Sequence, residues 1–363
     1  MAEPVGPHVA LDIDPFSVEG LSNPMEVDRT IREAGDIVWL SKYGIWATGR
    51  YDVVESIFRD YETFESSSGT GLTNIKKQEN WRKPSVILEN DPPDHTKYRR
   101  IMSSVLSQRV VRRLAAGFQE AADELVARVI ELGEINAATD LAEAYPLSVL
   151  PDAIGFAKDG RHNLLPYSNL NFQSMGPRNE FYWKALEESE EATEYVNWQM
   201  RREALDKGGL GEQIFEAAAE SGLSEDDAAL LVRTFLSAGV DTTIFALQFA
   251  LKALAENPAA WEALKADPGR ARDVFEETLR CYPSSPFIAR TTSRETVVGN
   301  TTIGAGEKVM LLLAAANHDP ERWENPEVFD IDRDTTGHLA FGVGVHGCVG
   351  QMMARLEASC LLS

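Results

Sequence analysis

The residues with the clearest chemical potential surround Cys348, in the stretch HLAFGVGVHGCVGQ. Glycines stand on both sides of this cysteine, at Gly342, Gly344, Gly347 and Gly350. Glycine lets a backbone take positive φ or lets another group approach closely. A helical pattern follows the loop, and the positive end of a helix stabilises negative charge on sulfur. The pattern therefore predicts a cysteine thiolate that acts as a ligand and is held by backbone N–H donors.

A second group of polar residues lies in the sequence AGVDTT, Ala238 to Thr243, inside a long apolar helical pattern. Glycine in a helix interior costs about 1 kcal/mol relative to alanine, and Asp and Thr also prefer helix ends. One explanation is a polar kink in which Thr242 bonds back to a carbonyl. The other is a widened groove in which the Thr242 hydroxyl holds an oxygen ligand and Asp241 relays protons from solvent.

Two further charged pairs have helical spacing. Glu277 and Arg280 form an ExxR pattern, which at i,i+3 is ordinarily an exposed salt bridge worth a few tenths of a kcal/mol. His95 and Arg99 follow the sequence DPPD, which is typical of a helix N-terminus with proline in the first turn. Their spacing of four places both on one helix face, where they can donate to one anionic group or form a solvated basic face.

The loop Phe341-Gly342-x-Gly344-x-His346-x-Cys348-x-Gly350 resembles, position by position, the haem-binding loop of the cytochrome P450 family. The resemblance implies that Cys348 is the proximal ligand of the iron of haem b, that Phe341 packs near the sulfur and that His346 donates to a haem propionate. It also implies that the other propionate contacts are His95, Arg99 and Arg290. Asp241 and Thr242 match the family's acid–alcohol pair, which delivers protons as the O–O bond breaks.

The resemblance extends through five motifs, from about Val38 to the end of the chain. It implies a mainly α fold with small β-sheets, in which a long central helix crosses the haem, and one domain over residues 1–363. Glu277, Arg280 and Arg333 are expected to form a structural ion-pair network. The segment that contains Arg333 departs from the family pattern, with His318 where arginine is common and Trp323 where phenylalanine is.

The implied reaction inserts one oxygen atom of O2 into a substrate C–H bond and releases the other as water. The resemblance is to the bacterial soluble type, which receives electrons from an iron–sulfur ferredoxin and its NAD(P)H-dependent reductase. Complementary charge mainly raises encounter rates between such partners. The docking surface is expected at four arginines: Arg100, Arg109, Arg112 and Arg113.

The expected substrate is a small aromatic carboxylic acid. WRKPS, GPRNE and RTFLSAGVDTT are similar to the subfamily that hydroxylates or demethylates para-substituted benzoic acids. The predicted carboxylate contacts are Arg82, Ser85, Arg233, Thr234 and Ser237, and the predicted aromatic and apolar contacts are Phe172, Ser285, Phe287 and Ile288. The alternative for the basic stretch around Arg82 is a solvated loop.

Composition excludes several other functions. The chain has 363 residues, 35 of them basic and 57 acidic, and its net charge of −22 repels nucleic acids and anionic membranes. Its three cysteines form no CxxC pair, which favours a reducing cytoplasm and argues against a disulfide framework. No run of about eighteen consecutive apolar residues and no export signal is present. We therefore expect a cytoplasmic monomer.

The elements that position these residues can also be predicted. Ile37 to Gly49 alternates like short strands, and Val53 to Phe64 has a helical pattern. Leu223 to Pro258 is predicted as one exceptionally long helix, apolar around much of its circumference and therefore internal. It opens with Ser224 and Asp227, nearly a capping box. GPRNEFYW, from Gly176, is predicted as a mobile connection.

The C-terminus departs from the family pattern. Only Val349–Ser363 follows Cys348, whereas family members continue further, so the C-terminal part of the family domain is expected to be missing. The alternatives are therefore a truncated haem-binding relative without turnover and a monooxygenase acting on a different small hydrophobic substrate. A peroxide-driven enzyme is disfavoured because Asp241 and Thr242 are present, and a zinc site using Cys348 and His346 lacks further ligands at suitable spacing.

Overall fold

The structure, a computed structural model, describes residues 6–363. These residues form a mainly helical fold with small β-sheets, which confirms the predicted fold class. The helices are α1 (Val18–Ser22), α2 (Pro24–Ala34), α3 (Tyr51–Arg59), α4 (Asp94–Val105), α5 (Gln108–Leu132), α6 (Ala144–Ile154), α7 (Leu164–Gln173), α8 (Glu180–Glu188), α9 (Glu190–Gln199), α10 (Leu210–Glu220), α11 (Glu225–Ala238), α12 (Asp241–Glu256), α13 (Pro258–Ala266), α14 (Ala271–Cys281), α15 (Leu313–Asn317) and α16 (Gln351–Leu362). The strands are β1 (Val9–Leu11), β2 (Val38–Leu40), β3 (Ile45–Thr48), β4 (Phe64–Glu65), β5 (Phe287–Thr292), β6 (Thr296–Val298), β7 (Thr301–Ile303) and β8 (Lys308–Leu312).

Six of the strands form one sheet in the order β1-β2-β3-β8-β5-β4, and β6 pairs with β7. β2 and β3 are the short strands predicted between Ile37 and Gly49, and α3 forms much of the helix predicted from Val53 to Phe64. β5 pairs antiparallel with β8, which places Arg290 opposite Val309. The sheet thereby fixes the strand that carries one of the predicted haem contacts.

The helix predicted from Leu223 to Pro258 is interrupted in the structure. α11 begins with a complete capping box between Ser224 and Asp227, and α12 begins at Asp241, after a break at Gly239 and Val240. A Cβ on Gly239 would lie 2.8 Å from the Phe235 carbonyl oxygen and 2.9 Å from Leu150 Cδ2, so a larger residue would require these neighbours to shift. The prediction of one uninterrupted helix is therefore corrected, because a residue with low helix propensity stands where two helices approach closely.

The run from Glu225 to Glu256 is long and apolar enough, by length and composition, to cross a membrane. However, 72% of its most apolar window is buried inside the protein. A core helix of a globular protein has this pattern, because it needs an apolar surface on all sides.

The segment predicted as a mobile connection from Gly176 is shorter than expected. Asn179 accepts a hydrogen bond from the Tyr182 N–H at 3.2 Å and caps α8, which begins at Glu180. Asparagine at an N-cap satisfies one of the first free N–H groups of a helix, so the second half of this segment is helical. The first five residues of the predicted domain lie outside the described residues.

The ExxR pair on α14 is completely buried. Arg280 Nε lies 2.8 Å from Glu277 Oε2, and both side chains have 0% exposure. Arg333 Nε donates to Glu277 Oε1 at 3.2 Å, and the backbone N–H of Asp330 donates to the same oxygen at 3.0 Å. Arg280 also donates to the carbonyl of Asn317 at 2.8 Å. The structure thus brings the three predicted network residues together, and burial rules out the ordinary exposed salt bridge.

We predict that Glu277→Ala lowers the free energy of unfolding by about 3 to 5 kcal/mol, because it leaves Arg280 buried without its carboxylate partner. The matched control is Glu26→Ala, which removes an exposed i,i+3 partner of Arg29 and should cost less than about 1 kcal/mol. Denaturant unfolding followed by circular dichroism measures both. Equal losses in the two variants would contradict a structural role for the buried network.

Candidate active site

A large internal cavity separates α12 from the loop that contains Cys348. Thr242 faces it from α12, Arg99 from α4 and Arg290 from β5. On the loop side it is lined by Phe341, His346 and Cys348. The structure therefore brings residues from four distant parts of the sequence around one space.

The backbone conformation of the cysteine loop requires glycine at two positions. Gly342 and Gly344 have φ values of +60° and +74°, a region that side-chain-bearing residues rarely adopt. A Cβ on Gly344 would also lie 3.0 Å from the Phe58 carbonyl oxygen. The Cys348 N–H donates to the Phe341 carbonyl at 2.7 Å, which closes the loop.

The Cys348 sulfur is in an environment with opposing influences on its charge. Burial raises the pKa of the Cys348 thiol, whereas hydrogen bonds from the Gly350 and Gln351 N–H groups and the positive charge of Arg99 act to lower it. Both N–H groups stand at the start of α16, where the helix dipole is positive. The loop therefore supplies the donors that a thiolate ligand requires.

Phe341 is held beside this loop by charged neighbours. The guanidinium carbon of Arg355 lies 4.6 Å from the centre of its ring, and the His338 ring lies 5.7 Å from it. Glu276 pairs with both Arg355 and His338. These contacts fix the orientation of the ring that the sequence placed near the sulfur.

Each of the four predicted anion-binding residues has a polar group without an anionic partner among the described residues, although His346 contacts Asp91 through its other ring nitrogen, Nε2. Neither Arg99 nor Arg290 pairs with a carboxylate within 4.0 Å among residues 6–363. Burial lowers the pKa of Arg290 to about 10, and its Nη1 donates only to the Ala289 carbonyl. Among residues 6–363, His95 Nε2 and His346 Nδ1 are also buried without a hydrogen-bond partner. A buried cation or ring N–H without a partner is costly, so these residues fit an anionic group that occupies the cavity.

Asp91 orients this set, and sequence reasoning had assigned it no role. It accepts hydrogen bonds from the Ser66 and Ser67 N–H groups and contacts His346 Nε2 at 3.2 Å. Burial raises the pKa of Asp91, but the hydrogen bonds from His346 and the two N–H groups outweigh it and lower this pKa. His95 does not line the cavity itself, but its ring packs 4.5 Å from that of His346.

The sequence profile named "Cytochrome P450" matches residues 171–363. The chain is 45% identical over 361 residues to Cytochrome p450 CYP199A2 of Rhodopseudomonas palustris. The alignment covers 98% of this chain and 86% of that protein. The chain belongs to the cytochrome P450 family. It is therefore a haem-thiolate monooxygenase, whose cofactor is haem b with a cysteine thiolate ligand and whose co-substrate is O2.

Solved structures of the family have the same fold. A structure of P450BioI in complex with an acyl carrier protein matches with a TM-score of 0.83 at 25% identity, covering 95% of this chain and 91% of that one. Epothilone D-bound cytochrome P450epoK matches with a TM-score of 0.82 at 26% identity, covering 97% of this chain and 91% of that one. The two carboxylates of a haem fit three groups on the cavity wall that lack a partner among residues 6–363: the guanidinium groups of Arg99 and Arg290 and Nδ1 of His346.

The predicted acid–alcohol pair lies at the break between α11 and α12. Thr242 lines the cavity, and its Oγ1 donates to the Ala238 carbonyl at 2.8 Å, the back-bond expected of a kink. Asp241 is 6% exposed, and its Oδ1 has no partner within residues 6–363. Burial raises the pKa of Asp241 to about 7, and the Ser168 hydroxyl acts in the opposite direction. The carboxyl therefore titrates near neutrality, which suits a proton carrier.

The predicted substrate residues fall into two sets. Arg82, Phe172, Thr234 and Ser237 line the cavity, together with Ser285 and Ile288. The structure does not place Ser85, Arg233 or Phe287 on its wall. Phe287 packs on Phe16 with ring centres 5.4 Å apart, because successive residues of β5 point to opposite faces and Ile288 takes the cavity side. Ser85 and Arg233 instead contact neighbours of Arg82: the Ser85 N–H donates to Glu89, and Arg233 donates to the Lys83 carbonyl.

Two acidic residues of the site were missed from the sequence. Glu89 lies 2.9 Å from Arg82 Nη1 and lines the cavity. Glu357 on α16 also lines the cavity, is 1% exposed and has no partner for Oε2 within residues 6–363. Burial raises the pKa of Glu357 well above its ordinary value. Glu357 could have been found from the sequence, because it is an acidic residue between Met353 and Cys360 on an otherwise apolar helix face.

We predict a pH-dependent difference in stability between the wild-type protein and Asp241→Asn. Native Asp241 holds its proton up to about pH 7, whereas the unfolded chain releases it near 3.8, so the native state binds more protons between these values. Raising the pH through this window therefore destabilises the wild type relative to the variant, by about 1.4 kcal/mol per pH unit, with no further change above pH 7.

Denaturant unfolding from pH 5 to pH 8 measures this difference. The exposed Asp159→Asn is the control and should run parallel to the wild type at every pH. A constant difference between wild type and Asp241→Asn across the range would show that the buried carboxyl is already ionised at pH 5.

Proposed function

We propose that the chain hydroxylates or O-demethylates a small aromatic carboxylic acid of the para-substituted benzoate type. The 45% identity to CYP199A2 over 98% of this chain supports a close functional relationship within the family. The observation that carries the proposal is a partly buried group of charges at one end of the cavity. Its members are Arg82, Glu89 and Arg233.

This charge cluster has one more positive than negative group. Arg82 pairs with Glu89, and the two side chains are 11% and 9% exposed. Arg233 is 4% exposed, and its Nη2 donates only to the carbonyls of Lys83 and Pro84, at 2.8 and 3.2 Å. Burial, reinforced by the charge of Arg82, lowers the pKa of Arg233 to about 10. A monocarboxylate bound at Arg82 would neutralise the surplus charge, which a neutral ligand could not do.

Neutral donors and aromatic rings surround the same end of the cavity. Ser85 does not line the cavity, but its Oγ accepts hydrogen bonds from the Ile87 and Leu88 N–H groups, which leaves its own proton free to donate. Thr234 and Ser237 line the cavity from α11, and their hydroxyls donate to backbone carbonyls at 3.2 and 3.1 Å. Phe172 stands edge-on to Phe245 with ring centres 5.5 Å apart and offers an apolar wall for a substrate ring.

Asp241 and Thr242 would serve the reaction by moving protons. When bound to Cys348, haem supplies the activation of O2. Thr242 lines the cavity, and Asp241 sits one residue earlier, with a carboxyl whose pKa of about 7 allows it to release and regain a proton at neutral pH. Arg99, Arg290 and His346 would orient the cofactor through its propionates.

We also propose that an iron–sulfur ferredoxin delivers the electrons at a basic surface on the Cys348 side of the molecule. Arg100 of α4 and three arginines at the start of α5 are exposed: Arg109, Arg112 and Arg113. None of the four pairs with a carboxylate within 4.0 Å among the described residues. α5 packs on α16, the helix that follows the cysteine loop, which supports a docking surface on this side of the molecule. Three free cysteines support a cytoplasmic location.

We predict that Arg82→Ala weakens binding of a para-substituted benzoate about 10- to 100-fold and leaves binding of the corresponding benzamide nearly unchanged, because only the acid loses a charge-assisted hydrogen bond. Glu89→Gln should tighten benzoate binding, because it removes the carboxylate that competes for Arg82. Optical titration of the low- to high-spin shift of the haem measures each dissociation constant.

Lys83→Ala is the matched control, since it removes a neighbouring positive charge that is exposed and does not line the cavity. It should change both dissociation constants by less than about twofold. Equal affinity of the wild type for the acid and the amide, or no spin shift with either, would contradict the proposal.

A further inference from the structure

The segment that follows α14 runs along the face of α12 that carries Thr242. Tyr282 stacks on Phe249, with ring centres 5.4 Å apart and an angle of 21° between the planes. Lys252 Nζ lies 5.7 Å from the centre of the same tyrosine ring. Phe249 follows Thr242 by seven residues, two helical turns, so the two residues share a face. The segment after α14 therefore packs on the same face of α12 that carries Thr242.

Ser284 makes a direct bond to the first turn of α12. Its Oγ donates to the Thr242 carbonyl at 2.6 Å, across 42 positions of the sequence, and the residue also lines the cavity. The break at Gly239 deprives the first turn of α12 of continuous helix on its N-terminal side. Its other side-chain tethers are short-range, from Thr242 to the Ala238 carbonyl and from Thr243 to the Gly239 carbonyl. Of these bonds, that of Ser284 alone joins the backbone of the turn to a distant element, whereas the Ser168 hydroxyl of α7 acts on the Asp241 side chain.

The same segment continues into the cavity wall. Ser285 and Ile288 line the cavity beyond Ser284, and β5 then carries Arg290, the buried cation assigned to a propionate. One short stretch of backbone thus contacts the proton-delivering turn, the substrate space and the cofactor edge. A substrate that presses on Ser285 or Ile288 acts on the element that holds Thr242.

We propose that Ser284 is a positioning residue that fixes the first turn of α12, so that the Thr242 hydroxyl stays in place when substrate occupies the cavity. The bond makes the substrate-lining segment and the proton-delivering turn move together. This role rests on the proposed function above, in which Thr242 moves protons and an aromatic acid is the substrate. Losing the tether should release protons at the wrong place, so that two electrons and two protons reduce O2 to hydrogen peroxide and the substrate is not oxidised.

The test compares Ser284→Ala with Ser284→Thr, which keeps the hydroxyl. Ser293→Ala is the matched control, because Ser293 Oγ also donates at 2.6 Å to a distant carbonyl, that of Glu62, but lies on the surface and outside the cavity. Three quantities are measured on the haem-loaded proteins. They are the benzoate dissociation constant, the product formed per nicotinamide nucleotide oxidised, and amide hydrogen exchange over residues 239–246.

We expect Ser284→Ala to lower product per nucleotide by about fivefold, the factor that one neutral hydrogen bond contributes, while the dissociation constant changes less than about twofold. Exchange over residues 239–246 should rise in this variant, and Ser284→Thr should restore both quantities. The Ser293→Ala control should match the wild type. If Ser284→Ala retains no haem, Ser284→Cys, similar in size but a weak donor, replaces it and should show a partial loss.

Wild-type coupling and wild-type exchange in Ser284→Ala would overturn the proposal. So would a loss of coupling that Ser284→Thr shares, since this would indicate a steric role. Absence of any spin shift in the wild type would overturn the proposed substrate class instead, and the exchange measurement would still decide whether Ser284 holds α12.

Discussion

A charged sulfur at the edge of a cavity is the constraint on which the rest of the structure depends. Burial alone raises the pKa of Cys348, so the thiolate exists only where donors are aimed at it. The N–H groups at the start of α16 provide those donors, and they can reach the sulfur because Gly342 and Gly344 take positive φ values. The loop is in turn braced by Phe58 of α3 and by the Glu276 pairs around Phe341.

A second constraint is the distribution of buried charge. The chain carries a net charge of −22, yet Arg99 and Arg290 line its cavity without a carboxylate partner among the described residues. Arg82 lines another part of the wall and pairs with Glu89, whereas Arg233 lies off the wall and donates only to backbone carbonyls. Elsewhere the fold compensates such charges internally, as Glu277 does for Arg280. The unpaired Arg99 and Arg290 fit the cofactor propionates, and the surplus positive charge of Arg82, Glu89 and Arg233 supports the proposed substrate carboxylate.

Sequence patterns predicted which residues form the site better than they predicted the tertiary contacts around those residues. The spacing of the cysteine loop, the ExxR pair and the acid–alcohol pair all depend on local geometry, which a motif encodes directly. The break at Gly239 was visible as an unfavourable residue, but the close contact of Leu150 from α6 with this position was not. Likewise, choosing Ile288 over Phe287 as the cavity residue requires the register of β5, and the pairing of Arg82 with Glu89 requires the path of a loop.

The most direct test of the haem-thiolate assignment is the carbon monoxide difference spectrum of the reduced protein. Thiolate ligation by Cys348 predicts a strongly red-shifted Soret band that is lost in Cys348→Ala. A band typical of histidine ligation, or a red-shifted band that persists in Cys348→Ala, would contradict the assignment of Cys348 as the iron ligand.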